Sequence, residues 1–123
     1  MPEKQGKVFH RNVLVHEGVV ALNQGDATDS GQAATLHKPS GNITSSTNNL
    51  GAKTTEQLTI TNRYCKADSI ILNSIQGGGA GDVVVSRVVP AAGSFTVDIL
   101  NADPTNACNA VYIFSFVIVG KSA

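Results

Sequence analysis

Short apolar stretches separated by turn-forming residues recur through most of this sequence, and this spacing constrains the fold more than any other feature. Residues 55–62 (TEQLTITN) alternate, so that Leu58 and Ile60 point to one side and the threonines to the other. This two-residue period is typical of a half-buried β-strand. Comparable stretches occupy residues 34–38, 41–46, 69–76, 82–89, 94–100 and 110–120. Turn sequences such as residues 77–81 (GGGAG), predicted to be a hairpin turn, and residues 90–93 (PAAG) lie between them.

This pattern predicts the fold class. From residue 34 onward there are about seven strand-like stretches, with a turn signal about every eight to fifteen residues. No helical pattern of ten residues interrupts them, which disfavours a parallel α/β fold. We therefore expect an all-β protein with a single antiparallel β-sandwich or jelly-roll-like domain of about seven to eight strands. A chain of 123 residues has room for one such domain.

The first part of the chain differs from the rest. Residues 1–33 are predicted to be an extended N-terminal arm, and residues 34–123 the β-sandwich domain. Two apolar stretches around His16-Glu17-Gly18 are compatible with one short hairpin in the arm, whereas Gly18 and the valines disfavour a helix. Residues 23–33 (NQGDATDSGQA) have the composition of turns and loops.

Composition excludes several functional classes. Only 15% of the residues are charged, and nine basic side chains balance nine acidic ones. A neutral chain is a poor nucleic-acid binder, because that affinity comes mainly from cations that neutralise phosphates. The longest apolar run, residues 111–119, is far shorter than the ~20 residues of a membrane-spanning helix. The polar start of the chain also makes a secretory signal unexpected. We therefore expect no direct contact with nucleic acid or membrane.

The last strand-like stretch, residues 110–120, is apolar on both faces. A strand with one face in water should alternate, so the second face must be covered by the N-terminal arm or by another subunit. Aromatic residues are enriched at subunit contacts, which favours the Phe- and Tyr-containing face as the interface. The hypothetical interface residues are Phe9, Val13, Val15, Val20, Tyr112, Phe114, Phe116 and Ile118.

Residues that carry chemistry do not form a known constellation. Neither Cys65 nor Cys108 has a histidine or a second cysteine within four residues, as a zinc site would require. His10 and His16 would share a face on one continuous strand, but a turn signal and a polar break separate them from such a strand. The aspartates lie mainly in turn sequences, where they serve local hydrogen bonds. We expect no metal, no cofactor and no enzymatic activity.

Five segments carry a family resemblance. They are residues 34–44 (ATLHKPSGNIT), 58–62 (LTITN), 92–97 (AGSFTV), 101–102 (NA) and 113–119 (IFSFVIV). In these segments the chain resembles small virion proteins of tailed bacteriophages, particularly marine ones. Those proteins are β-sandwich or jelly-roll subunits, and several are capsid decoration (cement) proteins. The chain departs from the shorter members by its extension over residues 8–33, which leaves open whether it belongs to the head or the tail.

The resemblance implies a non-enzymatic virion structural protein, assembled in the host cytoplasm. A decoration protein of this kind binds the assembled head and stabilises it. Its partners would be the major capsid protein or other virion subunits, and it would be a homo-oligomer, with a trimer favoured. The alternative is a tail-fibre or receptor-binding module that recognises host-surface glycan through exposed loops such as residues 77–81 and 101–109.

Overall fold

The structure is a computed structural model that describes residues 13–16, 19–22 and 24–120, with side chains described from residue 24 onward. It contains ten strands and, within those residues, no helix. The strands are β1 (Val13–His16), β2 (Val19–Leu22), β3 (Gln24–Thr28), β4 (Ala33–Thr35), β5 (Ser40–Thr44), β6 (Thr55–Thr61), β7 (Ile70–Gly77), β8 (Val83–Ala91), β9 (Ser94–Asn101) and β10 (Tyr112–Val119).

Strands β3 to β10 form a β-sandwich of two four-stranded sheets. The first sheet has the order β3-β5-β10-β7 and the second the order β4-β6-β9-β8. One apolar cluster between the sheets contains buried side chains from both. β1 and β2 pair with each other as a separate antiparallel hairpin. The all-β sandwich predicted from the spacing of the turns is therefore confirmed.

The core is built by strands that bury every second residue. In β9, Phe95 and its inward neighbours are buried while the residues between them are less so. In β10, Phe114 and Phe116 are buried in the same way. The ring of Phe95 lies 5.2 Å from that of Phe116 and 6.3 Å from that of Phe114, measured between centroids. Aromatic pairs at these separations stabilise beyond the area they bury, so three rings join the central strands of the two sheets.

Two edge strands differ from the fully antiparallel expectation. β3 pairs parallel to β5, and β4 pairs parallel to β6. Residues 24–28 were predicted as loop, which is wrong, and the first sheet begins at Gln24 instead of after residue 33. The cause is local: β3 has only the small residues Gly25 and Ala27 on its inner side. A Cβ at Gly25 would lie 2.9 Å from the Leu36 side chain, so this edge is too crowded for the large apolar residues that reveal a strand.

The glycine-rich segment 77–81 has a different role from the one predicted. β7 and β8 belong to different sheets, so this segment crosses from one sheet to the other and is not a hairpin turn. Gly77, Gly78 and Gly79 have φ angles of 97°, 89° and 64°, which side chains other than glycine's rarely adopt. The hairpin lies one turn later, where Ala91 pairs with Ser94 across two residues.

Candidate binding surface

β10 turns its aromatic face into the protein's own core. Tyr112, Phe114 and Phe116 are buried between the sheets, and Ile118 is partly buried against the same cluster. Tyr112, Phe114 and Phe116 therefore expose no surface to a second subunit, which corrects their assignment to the interface, whereas Ile118 keeps part of its surface exposed. The physical reason is size: aromatic side chains bury the most apolar area, and the interior of a small sandwich takes them first.

The remaining predicted interface residues belong to the N-terminal part. Phe9 lies outside the described residues. Val13 and Val15 lie on β1 and Val20 on β2, but their side chains lie outside the description. Val15 and Val20 are paired in the register of the hairpin.

The outer face of the first sheet has an apolar end, formed by Ile70, Leu72, Val117 and Val119. Leu72 is opposite Val117, and Ile70 is opposite Val119, in the antiparallel register of β7 and β10. Ile70 is 60% exposed, Leu72 57% and Val119 42%. We call these four residues the apolar strip. Contiguous exposed apolar side chains mark interaction surfaces more often than isolated ones do.

The rest of the same face is mostly polar, although Ile113 also lies on it. The Asn42 amide donates to Asp26 Oδ1 at 3.0 Å, and Ser115 Oγ donates to Asn42 Oδ1 at 2.6 Å. These three residues are opposite one another on β3, β5 and β10. The outer face is thus divided, with a hydrogen-bonded polar row next to the apolar strip. The strip is not simply the continuation of an apolar sheet face.

The outer face of the second sheet is polar throughout its centre. Thr59 is opposite Thr96, and Gln57 is opposite Asp98, on β6 and β9. The Gln57 amide donates to Asp98 Oδ1 at 2.8 Å, and Arg87 Nε lies 3.5 Å from Asp98 Oδ2. This face is therefore a natural control surface for tests of the apolar strip.

One end of the sandwich gathers the two loops named as candidate recognition loops. The Ala80 N–H donates to Asn109 Oδ1 at 2.8 Å, and the Asn109 N–H donates to the Gly78 carbonyl at 3.2 Å. The Asp103 Oδ1 accepts from the N–H groups of Thr105 and Asn106 at 2.9 and 2.8 Å. These hydrogen bonds lower the pKa of Asp103 below its ordinary value. The loops form one ordered end.

Asn101 organises that end from inside. Its side chain is fully buried and makes four hydrogen bonds. The amide nitrogen donates to the carbonyls of Leu50 and Asn106, both at 3.0 Å. The amide oxygen accepts from the N–H groups of Asp82 and Asp103, at 3.0 and 3.1 Å. One side chain therefore joins three separate loops, and a sequence shows this residue only as an asparagine at a strand end.

A buried acidic group lies beside Tyr112. The phenol of Tyr112 donates to Glu56 Oε2, and Thr47 Oγ1 and the Gln32 amide donate to Glu56 Oε1 at 3.1 and 3.3 Å. Burial, followed by the hydrogen bond to Glu56 and its charge, raises the pKa of Tyr112 far above its ordinary value. The phenol is therefore protonated at neutral pH and holds the carboxylate in place.

A second buried carboxylate, Asp29, follows β3. Its Oδ1 accepts from the Ser46 N–H at 2.9 Å and from the Ser46 hydroxyl. Its Oδ2 is buried without a hydrogen-bond partner among the described residues. Asp29 and Glu56 both add to the charge that raises the Tyr112 pKa. Within residues 24–120, no three histidine, cysteine, aspartate or glutamate side chains are grouped to hold a metal ion.

The two cysteines are buried, free and far apart. Cys65 lies where β9 begins, since its carbonyl accepts from the Gly93 N–H at 2.9 Å. Cys108 lies at the other end of β9, where its N–H donates to the Leu50 carbonyl, which Asn101 also contacts. The eight residues of β9 span about 25 Å. A disulfide within one chain therefore cannot form. Burial is the main cause that raises the pKa of the Cys108 thiol.

The side chains of the two histidines of the N-terminal arm, for which no metal site was expected, are not described by the structure. His10 lies outside the described residues, and so does the side chain of His16. His37 Nδ1 accepts a hydrogen bond from the Arg63 N–H at 3.0 Å, which ties two loops at the end opposite Asn101.

Sequence reasoning missed all four members of the apolar strip, because it assigned the interface to the other face of β10. The signal was present, because residues 69–76 are apolar on both faces, as residues 110–120 are. Ile71 and Ile75 pack against the core while Ile70 and Leu72 point outward. Only the pairing of β7 with β10 shows that the outward residues of both strands form one patch.

Comparison of the chain with models of protein families, with curated proteins and with solved structures found no match. Over the part of the chain that the structure describes, no helix has the length and apolar character needed to cross a membrane.

Proposed function

We propose that this chain is a non-enzymatic structural protein of a bacteriophage virion that binds the assembled head as a decoration subunit. The observation that carries the proposal is the apolar strip on the outer face of the first sheet. Its β7 residues Ile70 and Leu72 are more than half exposed. A protein that acts by attachment needs such a surface and no reactive group.

Three properties of the described structure support attachment. The apolar strip has a polar row beside it, which resembles the apolar centre and polar rim of protein interfaces. The centre of the opposite face carries threonines and an Asp98–Arg87 ion pair, and its exposed valines, Val84 and Val89, lie on the edge strand β8, with lower exposed fractions than Ile70 and Leu72. The chain has no net charge, which fits the outside of a shell better than a surface facing nucleic acid.

Stabilisation of a shell by such a protein follows from linkage. A ligand that binds only the assembled state stabilises it by RT ln(1 + [L]/Kd) per site, about 2.7 kcal/mol when the ligand is at 100 times its Kd. Many weak sites on one shell therefore add to a large effect.

The test is co-sedimentation of the purified chain with empty heads of the phage that encodes it. We expect saturable binding in many copies per particle and a higher melting temperature of the heads. Leu72→Asp should abolish binding, because it places a charge in the apolar strip. Thr59→Asp, on the opposite face, should bind like the unaltered protein. Equal binding by both variants would refute attachment through the strip, and absence of any binding to heads would refute the decoration function.

A second candidate is recognition of host-surface glycan by the ordered end that contains Asn101. The observation that favours it is the joining of residues 77–81 and 101–109 through Asn109. Recognition predicts that the purified chain adsorbs to host cells, that few copies are present per virion, and that Thr105→Ala weakens adsorption while Leu72→Asp does not. Decoration predicts instead that the chain does not adsorb to cells, that many copies are present per virion, and that Leu72→Asp weakens binding to heads while Thr105→Ala does not.

A further inference from the structure

Among the described strands, β7 pairs only with β10, and its other edge, here called the free edge, differs from the other sheet edges. Natural sheets protect their edges with short strands, charged residues, proline or bulges. In the described sheets, β4 has three residues, β3 carries Asp26, and β8 carries Arg87, Pro90 and a bulge after Val85. β7 has eight residues, IILNSIQG, and contains no charged residue, proline or bulge. It is the one long edge of these two sheets without such a device.

The hydrogen-bond alternation shows which β7 groups face that edge. The Ile118 N–H donates to the Pro39 carbonyl, so even-numbered residues of β10 bond toward β5. Odd-numbered residues of β10 must then bond to β7, where their register partners are even-numbered. The Gly78 N–H, which donates to Val111, follows the same rule. The N–H and C=O groups of the odd-numbered residues Ile71, Asn73 and Ile75 therefore point away from the sheet.

Side chains at this edge satisfy little of that capacity. Asn73 Nδ2 donates to the Ile71 carbonyl at 3.2 Å in an exposed contact. Ile71 and Ile75 point toward the core. Ile70 and Leu72 place the apolar strip directly beside the edge. An added strand would thus gain backbone hydrogen bonds and, on its outer side, apolar contacts.

We propose that the free edge of β7 pairs antiparallel with β7 of a second copy of this chain. Pairing centred on Asn73 places Asn73 opposite its copy and Ile71 opposite Ile75 of the partner subunit. The backbones of Ile71, Asn73 and Ile75 then each donate one hydrogen bond to the partner subunit and accept one from it. The two first sheets become one continuous sheet. On its outer face Leu72 lies opposite Ser74 of the partner subunit and Ile70 opposite Gln76 of the partner subunit, so the two apolar strips lie diagonally across the twofold axis.

Charge and symmetry favour a second copy as the occupant. β7 is neutral, so pairing with itself brings no like charges together, whereas the other long edges carry Asp26 or Arg87. Self-pairing is also isologous and closes after two copies, so it produces a dimer and no fibre. This inference does not depend on the proposed attachment to heads. It predicts that any attached unit presents two apolar strips related by a twofold axis.

The experiment is light scattering coupled to size exclusion on the full chain, without any shell. We expect about 25 kDa, twice the chain mass of 12.7 kDa. Asn73→Pro removes an edge N–H that the β7–β10 ladder does not use, and it should give a monomer with an unchanged circular dichroism spectrum. Asn73→Ala keeps that N–H and should remain a dimer. Asn73→Lys, which places like charges directly opposite each other, should also give a monomer, and it serves if the proline variant does not fold.

Each other outcome overturns the proposal. A monomeric unaltered chain would mean that the edge is free or that another part of the same chain covers it, and a trimer would mean a different interface. A dimer that persists in both Asn73→Pro and Asn73→Lys would place the contact elsewhere. Head binding is measured separately, by co-sedimentation of the unaltered chain with heads, whereas dimer formation is measured without heads. A dimer that does not bind heads refutes only the decoration function, and a monomer that binds heads refutes only the β7 pairing.

Discussion

The side chain of Asn101 gives the sharpest test of how this sandwich is held together. Replacing it by alanine removes four hydrogen bonds to the backbone of three loops. The Leu50 carbonyl keeps a partner, because the Cys108 N–H also donates to it at 2.9 Å. The N–H groups of Asp82 and Asp103 and the carbonyl of Asn106 lose their partner. Because these groups lie near solvent, water can replace part of what they lose.

The magnitude follows from these contacts. A typical hydrogen bond contributes about 1 kcal/mol net, and a buried group that loses its partner costs about 1–3 kcal/mol. Because the Leu50 carbonyl retains one bond and water can reach the other groups, we expect Asn101→Ala to lower the free energy of unfolding by about 3 kcal/mol. For a domain of this size, about 4 °C per kcal/mol converts that to a melting temperature about 12 °C lower.

The assay is thermal unfolding followed by circular dichroism. Asn106→Ala is the matched control, since only the backbone carbonyl of Asn106 contacts Asn101, and its melting temperature should change by less than about 2 °C, as is typical of surface substitutions. Asn101→Asp should be at least as destabilising as Asn101→Ala at neutral pH, because a carboxylate oxygen would face two carbonyls. The melting temperature of Asn101→Asp should partly recover in acid, because protonation of the carboxylate restores one hydrogen-bond donor. Equal melting temperatures for Asn101→Ala and Asn106→Ala would refute the structural role of this side chain.

Three further predictions follow from the core. Phe116→Asp should lower the free energy of unfolding by more than about 3 kcal/mol, because it buries an unpaired charge, as measured by urea unfolding. The raised pKa of Tyr112 predicts stability that is full below pH ~10, the ordinary pKa of an unfolded tyrosine, and falls as the pH rises further. Tyr112→Phe should flatten this alkaline loss in melting temperature. The thiol of Cys108, buried and with a raised pKa, should not react with a thiol reagent until the protein is unfolded.

The predictions for Phe116 and Tyr112 each have a control variant. Ser115→Asp adds the same charge at the neighbouring residue, whose side chain lies on the outer face. It should lower the free energy of unfolding much less than Phe116→Asp does. Similar costs for the two variants would contradict the facing of β10. Tyr64→Phe changes a tyrosine that is more than a third exposed, so it should leave the alkaline loss as it is. Rapid thiol reaction in the native state would contradict the burial of the cysteines.

The faces of the central strands were predictable because alternation is a local property. Leu58 and Ile60 in β6, and Phe95 with its neighbours in β9, point into the core as the two-residue period predicts. The strand β3 was not predictable, because an edge strand packed against Leu36 has small and polar residues and no periodic signal. The glycine segment at 77–81 was recognised as a turn, but the sheet that each flanking strand joins depends on contacts distant in sequence.

The candidate surface was likewise predictable only in part from the sequence. Sequence alone determined that β10 is apolar on both sides and that one side needs a cover. It could not determine which side faces inward, because Phe116 and Val117 are equally acceptable to a hydrophobic core until the opposite sheet is in place. The tertiary structure decided this by seating the aromatic rings against Phe95. It also placed Leu72 beside Val117, because pairing between strands some 40 residues apart is specified by the whole sheet and not by either strand.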